Sequence, residues 1–271
     1  MNLVSTVQAI LKFQSTVLVT FLLLEFLYFI FVLKRDYPWR EAFISLVVVG
    51  MRISAIYVFS SWIAYGPRWI ESHRLFDLSF KSDWLAFSAM FVVADLIYYF
   101  FHRLSHKVRF LWAGHFVHHM SPEFMLTTGL RTDVFPFKMV FLVAFMFWLG
   151  CPSEKLKLMI NLNLFLQLFL HTEVIESYGP LDLILSSPAQ HRLHHSSIGP
   201  SVDKNFCGMF SIVDRVFGTY AKEGSSQLGV VGIDNSNSVI KLIFHEWIEI
   251  YKDCRKAPGI WQKLVVVFGP P

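Results

Sequence analysis

Five apolar runs of helix length most constrain how this chain can fold. They cover about residues 17–33, 42–65, 84–101, 134–149 and 156–170, and none alternates between apolar and polar residues as a half-exposed strand would. In hydrocarbon, only helices and closed barrels satisfy every backbone hydrogen-bonding group. The runs therefore predict an all-α integral membrane protein.

Composition agrees with this prediction. Only 16% of the residues are charged and 54% are hydrophobic, whereas about 25% of a typical globular chain is charged. The net charge of +4 comes without a dense run of Lys and Arg, so the sequence does not indicate a nucleic-acid partner. Cys151, Cys207 and Cys254 lie far apart, which fits neither a disulfide framework nor a thiolate zinc site.

The lengths of the runs predict four to five transmembrane or hairpin helices. A bilayer needs about 20 residues, so the fourth and fifth runs are expected either to span it or to form a hairpin that penetrates partway. The first run contains Glu25 and has no small-residue cleavage site before Lys34, so it is interpreted as an uncleaved helix. We expect a single domain over residues 1–271.

Basic residues set the expected orientation. Segments 34–41 and 102–133 together carry seven Lys and Arg, whereas the loop 66–83 carries three, which places the two segments, and everything after residue 171, on the cytoplasmic side. The C-terminus has no signal for retrieval to the endoplasmic reticulum, which favours a bacterial cytoplasmic membrane.

Histidines form three clusters, one of spacing HxxxH and two of spacing HxxHH, and a further histidine ends the fifth run. The expected topology brings all nine to the cytoplasmic face. His73 falls in the opposite loop, and His245 lies on the polar face of a helix predicted over 240–251. The nine candidate metal ligands are His102, His106, His115, His118, His119, His171, His191, His194 and His195.

The spacing predicts two metal ions. In HxxHH the first two histidines share a helix face, whereas the last is rotated by about 100° from its neighbour, so adjacent histidines suit two ions side by side. Imidazole suits Zn, Cu, Fe and Ni, but structural zinc is usually four-coordinate and thiolate-rich. Two irons that activate O2 fit best, because membrane lipid offers mainly C–H bonds. We therefore expect a cytoplasmic helical cap that holds a di-iron site.

Several polar residues are candidates for supporting roles. Asp95 shares a helix face with His102, so its carboxylate is expected to accept an imidazole N–H, with an ion pair to Arg103 as the alternative. Glu173 and Asn205 are further candidates for contacts around the ligands.

Three charges near the membrane have other expected partners. Arg131 is predicted to contact a lipid headgroup or, alternatively, to pair with Asp133. Glu25 and Arg52 lie at similar depth in the first two runs and are predicted to form an ion pair.

The three histidine clusters resemble the eight-histidine signature of the fatty acid hydroxylase / sterol desaturase superfamily, whose members are membrane di-iron enzymes. The resemblance covers about residues 84–220. It implies that the eight clustered histidines, together with His171, bind two iron ions.

Further motifs are similar to the alkylglycerol monooxygenase branch: Trp112-Ala-Gly-His115, Leu126 to Arg131, His171-Thr-Glu173, Asp203-Lys-Asn205 and Asp214 to Thr219. That branch cleaves ether lipids with O2 and tetrahydrobiopterin. The resemblance implies hydroxylation of the carbon beside the ether oxygen, after which the hemiacetal collapses to an aldehyde and a glycerol. The chain departs from the branch at Lys107, where glutamate is usual, and at Met125, where asparagine is usual.

Two other functions stay open. One is a sterol or fatty-acyl hydroxylase or desaturase that receives electrons from a separate carrier. The other is a non-catalytic metal-binding protein or transporter, although a transporter should carry ionisable residues along a path through the bilayer. The expected partners are a lipid substrate in the bilayer and an external electron donor, and the oligomeric state is open.

Overall fold

The computed structural model describes residues 3–59, 69–70, 72–76, 83–135, 137–151, 153–222, 224, 227–230, 233 and 238–271. Within these residues the regular structure is helical, without strands, as predicted. The helices are α1 (Leu3–Phe31), α2 (Trp39–Val58), α3 (Asp83–Ser105), α4 (Arg109–His119), α5 (Leu126–Gly129), α6 (Phe137–Trp148), α7 (Ser153–Leu168), α8 (Pro188–His194), α9 (Ile212–Val216), α10 (Val239–Ile243), α11 (His245–Lys256) and α12 (Ile260–Phe268).

Three of these helices are long and apolar enough to cross a bilayer. Their candidate spans are Lys12–Phe31 in α1, Trp39–Val58 in α2 and Trp84–Ser105 in α3, and each matches the length of about 20 residues that hydrocarbon requires. Large apolar side chains such as Phe13, Leu46 and Val92 are exposed on their outer surfaces. This is an integral membrane protein.

Helices α6 and α7 follow one another across a short turn and form a helical hairpin, and its partial penetration of the bilayer stays a prediction. They have 12 and 16 residues, which is short for a full span. The turn between them includes Gly150, whose φ of 99° lies in the region that favours glycine. The hairpin packs against α3 through a buried cluster that includes Met90, Met146 and Met159.

Two helices end at other residues than the apolar runs that predicted them. The third apolar run ends at Phe101, but α3 continues to Ser105 because polar and charged residues also extend a helix without interrupting its backbone hydrogen bonds. His102 therefore belongs to the last turn of α3. Helix α2 ends at Val58, and residues 60–65 of the predicted second span lie outside the described residues.

Helix α4 lies between the membrane helices and the C-terminal helices. Phe116 and Val117 of α4 pack against Ile44 of α2 and against Leu242 and Ile243 of α10. The single helix predicted over 240–251 is divided at Phe244 into α10 and α11. Because both sides of α4 are covered, its three histidines lie in the protein interior.

Glu25 and Arg52 bind different parts of the structure, so the predicted ion pair between them was wrong. The Glu25 carboxylate accepts a hydrogen bond from the backbone N–H of Leu126, at 2.9 Å to Oε2. Arg52 donates from Nη1 to the carbonyl oxygen of Asp133, 2.8 Å away. Each charge attaches a membrane helix to the segment between α4 and α6.

Candidate metal centre

All nine candidate histidines meet in one buried region. His102 and His106, at the end of α3, point to the same side because they are one helical turn apart. His171 follows α7. Helices α4 and α8, with the residue after α8, contribute the remaining six: His115, His118, His119, His191, His194 and His195.

The nitrogen atoms of these histidines form two groups, each with its candidate ligand atoms within 4.8 Å of one another. Adjacent histidines are divided between the groups, because a rotation of about 100° separates neighbours on a helix. The five-histidine group contains His102, His106, His115, His119 and His194. The four-histidine group contains His118, His171, His191 and His195.

Hydrogen bonds fix which ring nitrogens face the interior of the four-histidine group. The Nδ1 atoms of His118 and His171 lie 2.8 and 3.2 Å from the carbonyl oxygens of Arg131 and Gln167. A carbonyl only accepts, so each Nδ1 carries the hydrogen and each Nε2 presents a lone pair. These two Nε2 atoms are 3.2 Å apart. Two lone pairs repel at this distance, and a cation between the rings removes the repulsion.

The five-histidine group has the same arrangement. His102 donates from Nδ1 to the carbonyl oxygen of Phe206 at 2.7 Å, and its Nε2 lies 2.9 Å from Nε2 of His115. His194 donates from Nδ1 to the carbonyl oxygen of Lys204 at 2.8 Å. Its buried Nε2 has no hydrogen-bond partner in the described part of the chain.

Burial favours the neutral form of five of these imidazoles. It lowers the pKa of His119, His191, His194 and His195 well below the usual value, and neighbouring histidines lower it further. Burial also lowers the pKa of His171 to about 4, against the opposing effect of its backbone hydrogen bonds. Neutral imidazole is the form that binds a metal ion. The donor set therefore fits two metal ions held side by side.

A short segment, residues 203–206, supports the five-histidine group from outside. The carbonyl oxygens of Lys204 and Phe206 accept from two of its histidines, and Asp203 Oδ1 lies 3.4 Å from Nδ1 of His106. Asp203 and Asn205 have positive φ of 59° and 55°, a conformation that Asp and Asn tolerate better than most residues. This backbone conformation lets alternate carbonyls face the histidines.

Asn205, predicted to lie around the ligands, fixes the 203–206 segment. Its amide nitrogen donates to the carbonyl oxygens of Gln190 and Ala221, at 3.0 and 2.9 Å, and its Oδ1 accepts from the N–H of Ala221. Gln190 directly precedes His191 in α8. Asn205 thus joins the segment to the helix that carries the third cluster.

The buried carboxylate of Asp214 binds the backbone at the end of the 203–206 segment and just after it. Asp214 accepts from the backbone N–H groups of Phe206 and Cys207, at 2.8 and 2.9 Å. It also accepts from the hydroxyl of Thr219, at 2.7 Å. Asp214 lies within one of the motifs named above, but the sequence pattern assigned it no role of its own.

Asp95 has a different partner from the one predicted. Its carboxylate accepts from the backbone N–H groups of Met209 and Phe210, at 2.9 and 3.0 Å, rather than from an imidazole. The backbone of the segment after residue 206 occupies the space beside this carboxylate. Gly208 allows this approach, because a Cβ there would lie 2.6 Å from Asp95 Oδ1.

Arg131 supports the four-histidine group through its backbone. Its carbonyl oxygen accepts from His118, while its fully buried guanidinium donates to Glu41 Oε2 at 2.7 Å and to the Ser45 hydroxyl at 2.9 Å. Burial lowers the pKa of Arg131, and the charge of Glu41 opposes that effect. The neighbouring carboxylate thus neutralises a charge that was expected to contact a lipid headgroup or Asp133.

The remaining sequence candidates lie at the edge of the site. Glu173 forms an ion pair with Arg35 at 2.6 Å and is partly exposed. Lys107, where the resemblance leads us to expect glutamate, binds Asp203, and Met125 is fully buried. None of the contacts described for these three side chains is to an imidazole.

The other two histidines lie apart from both groups. His73 stacks on Trp69 with ring centroids 4.4 Å apart. His245 stacks on Phe116 at 5.4 Å, on the side of α4 that faces the C-terminal helices, and is half-buried. Periodicity and topology separated these two residues from the nine.

A cavity of about 340 Å³ leads from the histidines into the helix bundle. Five histidines from the two groups border it, as do Arg52, Thr132 and Asp133. Its apolar wall comes from four helices and consists of Leu18, Phe101, Leu142, Leu164, Phe165 and Leu168.

Comparisons with known proteins agree with this geometry. A family model described as fatty acid hydroxylase matches residues 87–219. Alkylglycerol monooxygenase of Homo sapiens is 37% identical over 202 residues, which is 74% of this chain and 45% of that protein. The Danio rerio alkylglycerol monooxygenase is 33% identical over 245 residues, 88% of this chain and 54% of its own length.

A further relative is a bacterial protein. Ornithine lipid hydroxylase OlsE of Rhizobium tropici is 30% identical over 146 residues, 52% of this chain and 44% of that protein. No solved structure matches the chain. The chain spans about half the length of the curated relatives it matches. It belongs to the fatty acid hydroxylase family and, within it, to the branch of the alkylglycerol monooxygenases.

Proposed function

We propose that this protein is an oxidoreductase, a membrane di-iron monooxygenase that hydroxylates a C–H bond of a lipid. The observation that carries the proposal is the meeting of two buried histidine groups with a cavity that extends among membrane helices. The relatives named alkylglycerol monooxygenase support an ether lipid as substrate.

The nine histidines are proposed to hold two iron ions. His102, His106, His115, His119 and His194 bind one ion, and His118, His171, His191 and His195 bind the other. An all-imidazole set suits several divalent metals, and the relatives' names, which denote oxygen insertion, favour iron. Two irons bound here would supply the activation of O2 that inserting oxygen into an unactivated C–H bond requires.

The protein's own residues position and isolate the reaction. Backbone carbonyls orient the histidine rings, which is how outer contacts tune a metal site. Phe124 stacks on His171 with centroids 5.4 Å apart, and Phe206 lies 5.2 Å from the ring of His106. Apolar rings on both sides exclude water from the place where the lipid and O2 meet.

The proposed reaction cleaves an alkyl ether in two steps. One oxygen atom of O2 enters the C–H bond beside the ether oxygen, and the other leaves as water, which consumes two electrons and two protons. The hemiacetal then loses its glycerol alcohol and becomes a fatty aldehyde. Tetrahydrobiopterin is the proposed two-electron donor, with an external electron carrier as the alternative.

The site is proposed to face the cytoplasm, where such reductants are made. The distribution of basic residues supports this orientation.

A second candidate is hydroxylation without cleavage. The relative named ornithine lipid hydroxylase supports it, because the same histidine site serves any lipid whose C–H bond reaches it. A carbon without an ether neighbour would give a stable alcohol rather than an aldehyde.

The two functions are separated by one assay. Purified, iron-loaded protein receives O2, tetrahydrobiopterin and, in parallel reactions, a 1-O-alkylglycerol, an acyl lipid or a sterol, and fatty aldehyde and hydroxylated lipids are measured by mass spectrometry. We expect aldehyde with an equal amount of glycerol. A hydroxylated acyl lipid or sterol as the product, without aldehyde from the ether, would favour the second candidate.

A further inference from the structure

Arg52 is an unusual residue for its position. It lies in the fourteenth position of α2, a helix that crosses the membrane. A charge inside a membrane span is costly and usually has a function. Its expected partner, Glu25, binds Leu126 instead, so the predicted ion pair does not explain Arg52.

The guanidinium of Arg52 faces the cavity with donors to spare. Within the described residues, its hydrogen bond is to the carbonyl oxygen of Asp133, and an arginine side chain has five N–H donors. Arg52 also borders the cavity that the histidines share. A lipid that enters this cavity therefore meets donors that the protein itself does not use.

Arg52 lies beside the histidines rather than at the far end of the cavity. It binds the backbone of Asp133, whose carboxylate lies 3.8 Å from Nδ1 of His115. Asn161 of α7 also borders the cavity and precedes His171 by ten residues, which corresponds to about 15 Å along a helix. The cavity thus has a charged end at the metal groups and a longer apolar part.

This arrangement matches the shape of an alkylglycerol. The C–H bond that reacts lies beside the ether oxygen, only a few bonds from the glycerol oxygens and at one end of a long alkyl chain. We propose that Arg52 binds an oxygen of the glycerol end, either a hydroxyl or a phosphate ester, while the alkyl chain lies along Leu18, Leu164 and Leu168. This proposal rests on the proposed function, because it assigns the substrate's orientation at the same site.

The test compares Arg52→Met with wild type, with Arg52→Lys as the conservative variant and Arg255→Met as the matched control. Arg255 is exposed near the end of α11, so its loss should leave every measurement unchanged. Each protein is iron-loaded, and its iron content is measured first. Equilibrium binding is then measured for three radiolabelled lipids: a 1-O-alkylglycerol, its 3-phosphate and a long-chain alcohol without glycerol. Turnover is measured separately.

We expect Arg52→Met to bind the alkylglycerol or its phosphate about tenfold to a hundredfold more weakly, as for loss of a hydrogen bond from a charged donor. Iron content and affinity for the simple alcohol should stay at the wild-type values, and Arg52→Lys should recover part of the affinity. A larger loss with the phosphate identifies an anionic headgroup as the ligand, whereas an equal or larger loss with the neutral lipid identifies a hydroxyl.

Unchanged affinity of Arg52→Met for both glycerol lipids would overturn the proposal. An equal loss for the simple alcohol would also overturn it, because Arg52 would then act through the shape of the cavity. The binding measurement does not depend on turnover. If wild type binds the glycerol lipids through Arg52 but releases no aldehyde, the ether-cleaving function fails while this subsite stands.

Discussion

The two histidine groups adjoin one another but are supported by different parts of the chain. The five-histidine group is supported by residues 203–206, whose carbonyl oxygens accept from His102 and His194. Asp214 binds the backbone of this segment at Phe206, and Asp95 binds the backbone just after it, at Met209 and Phe210. The four-histidine group is supported by two carbonyl oxygens, that of Arg131 and that of Gln167 on α7, which accept from His118 and His171. The support for the five-histidine group is a loop from late in the chain. The support for the four-histidine group involves α2 and α7 of the membrane bundle.

The two groups therefore depend on different contacts. The support for the four-histidine group forms once α2, α4 and α7 pack together. The support for the five-histidine group needs the 203–214 region to return to α3 as well. Variants that remove one support should therefore affect one group more than the other.

The largest expected effect comes from removing a ligand. His194→Ala in the five-histidine group and His118→Ala in the four-histidine group should each lower turnover more than about 100-fold. Each should also reduce the iron content, measured by plasma mass spectrometry. His245→Ala, which removes a stacked ring outside both groups, should keep wild-type iron and turnover, and equal losses in all three variants would contradict the assignment of ligands.

A buried ion pair gives the next largest effect. Glu41→Gln leaves the guanidinium of Arg131 buried without its carboxylate, which should destabilise the fold by about 3 to 5 kcal/mol. Chemical denaturation of the metal-free protein measures this loss, and iron at the four-histidine group should fall. Glu249→Gln removes a surface carboxylate from a pair with Lys252 and serves as the control. A stability loss no larger than the control's would mean that Glu41 does not support this group.

A smaller effect is expected at the loop that supports the five-histidine group. Asp214→Asn keeps the shape of the side chain but weakens its bonds to Phe206, Cys207 and Thr219, so we expect a loss of about 2 kcal/mol. The iron content should fall towards one per chain. If the variant loses both irons together, the two supports are not independent.

The smallest effect is predicted for Glu173→Gln. This carboxylate pairs with Arg35 in a partly exposed position, and such pairs contribute less than about 1 kcal/mol. Turnover and iron content should stay within twofold of wild type. A tenfold loss of turnover would restore the sequence hypothesis that Glu173 acts around the ligands.

The sequence predicted the membrane helices and the nine histidines because both depend on local pattern. Apolar runs define spans by length, and i, i+3 and i+4 spacing defines a shared face. Supporting contacts depend on the return of distant segments. Asp95 was correctly selected as a buried acid, but its partners, Met209 and Phe210, lie more than 110 residues away and donate from the backbone, which no side-chain pattern records.

The ion pairs show the same limit. Glu25 and Arg52 lie at similar depth, so sequence reasoning paired them, whereas the backbone groups of Leu126 and Asp133 are their partners. Arg131 lies next but one to Asp133 in sequence, but it pairs with Glu41, 90 residues away. The sequence indicated how deep Glu25 and Arg52 lie along their helices. It did not indicate the path of the 120–135 segment across the bundle, which brings their actual partners to them.

The central claim is that the histidines bind two irons in separate, adjacent groups. Iron content of the purified protein, measured together with Asp214→Asn and Glu41→Gln, tests it most directly. The account predicts two irons per wild-type chain and a separate loss from each group in the two variants. One iron per chain, or zinc alone after expression with abundant iron, would contradict it.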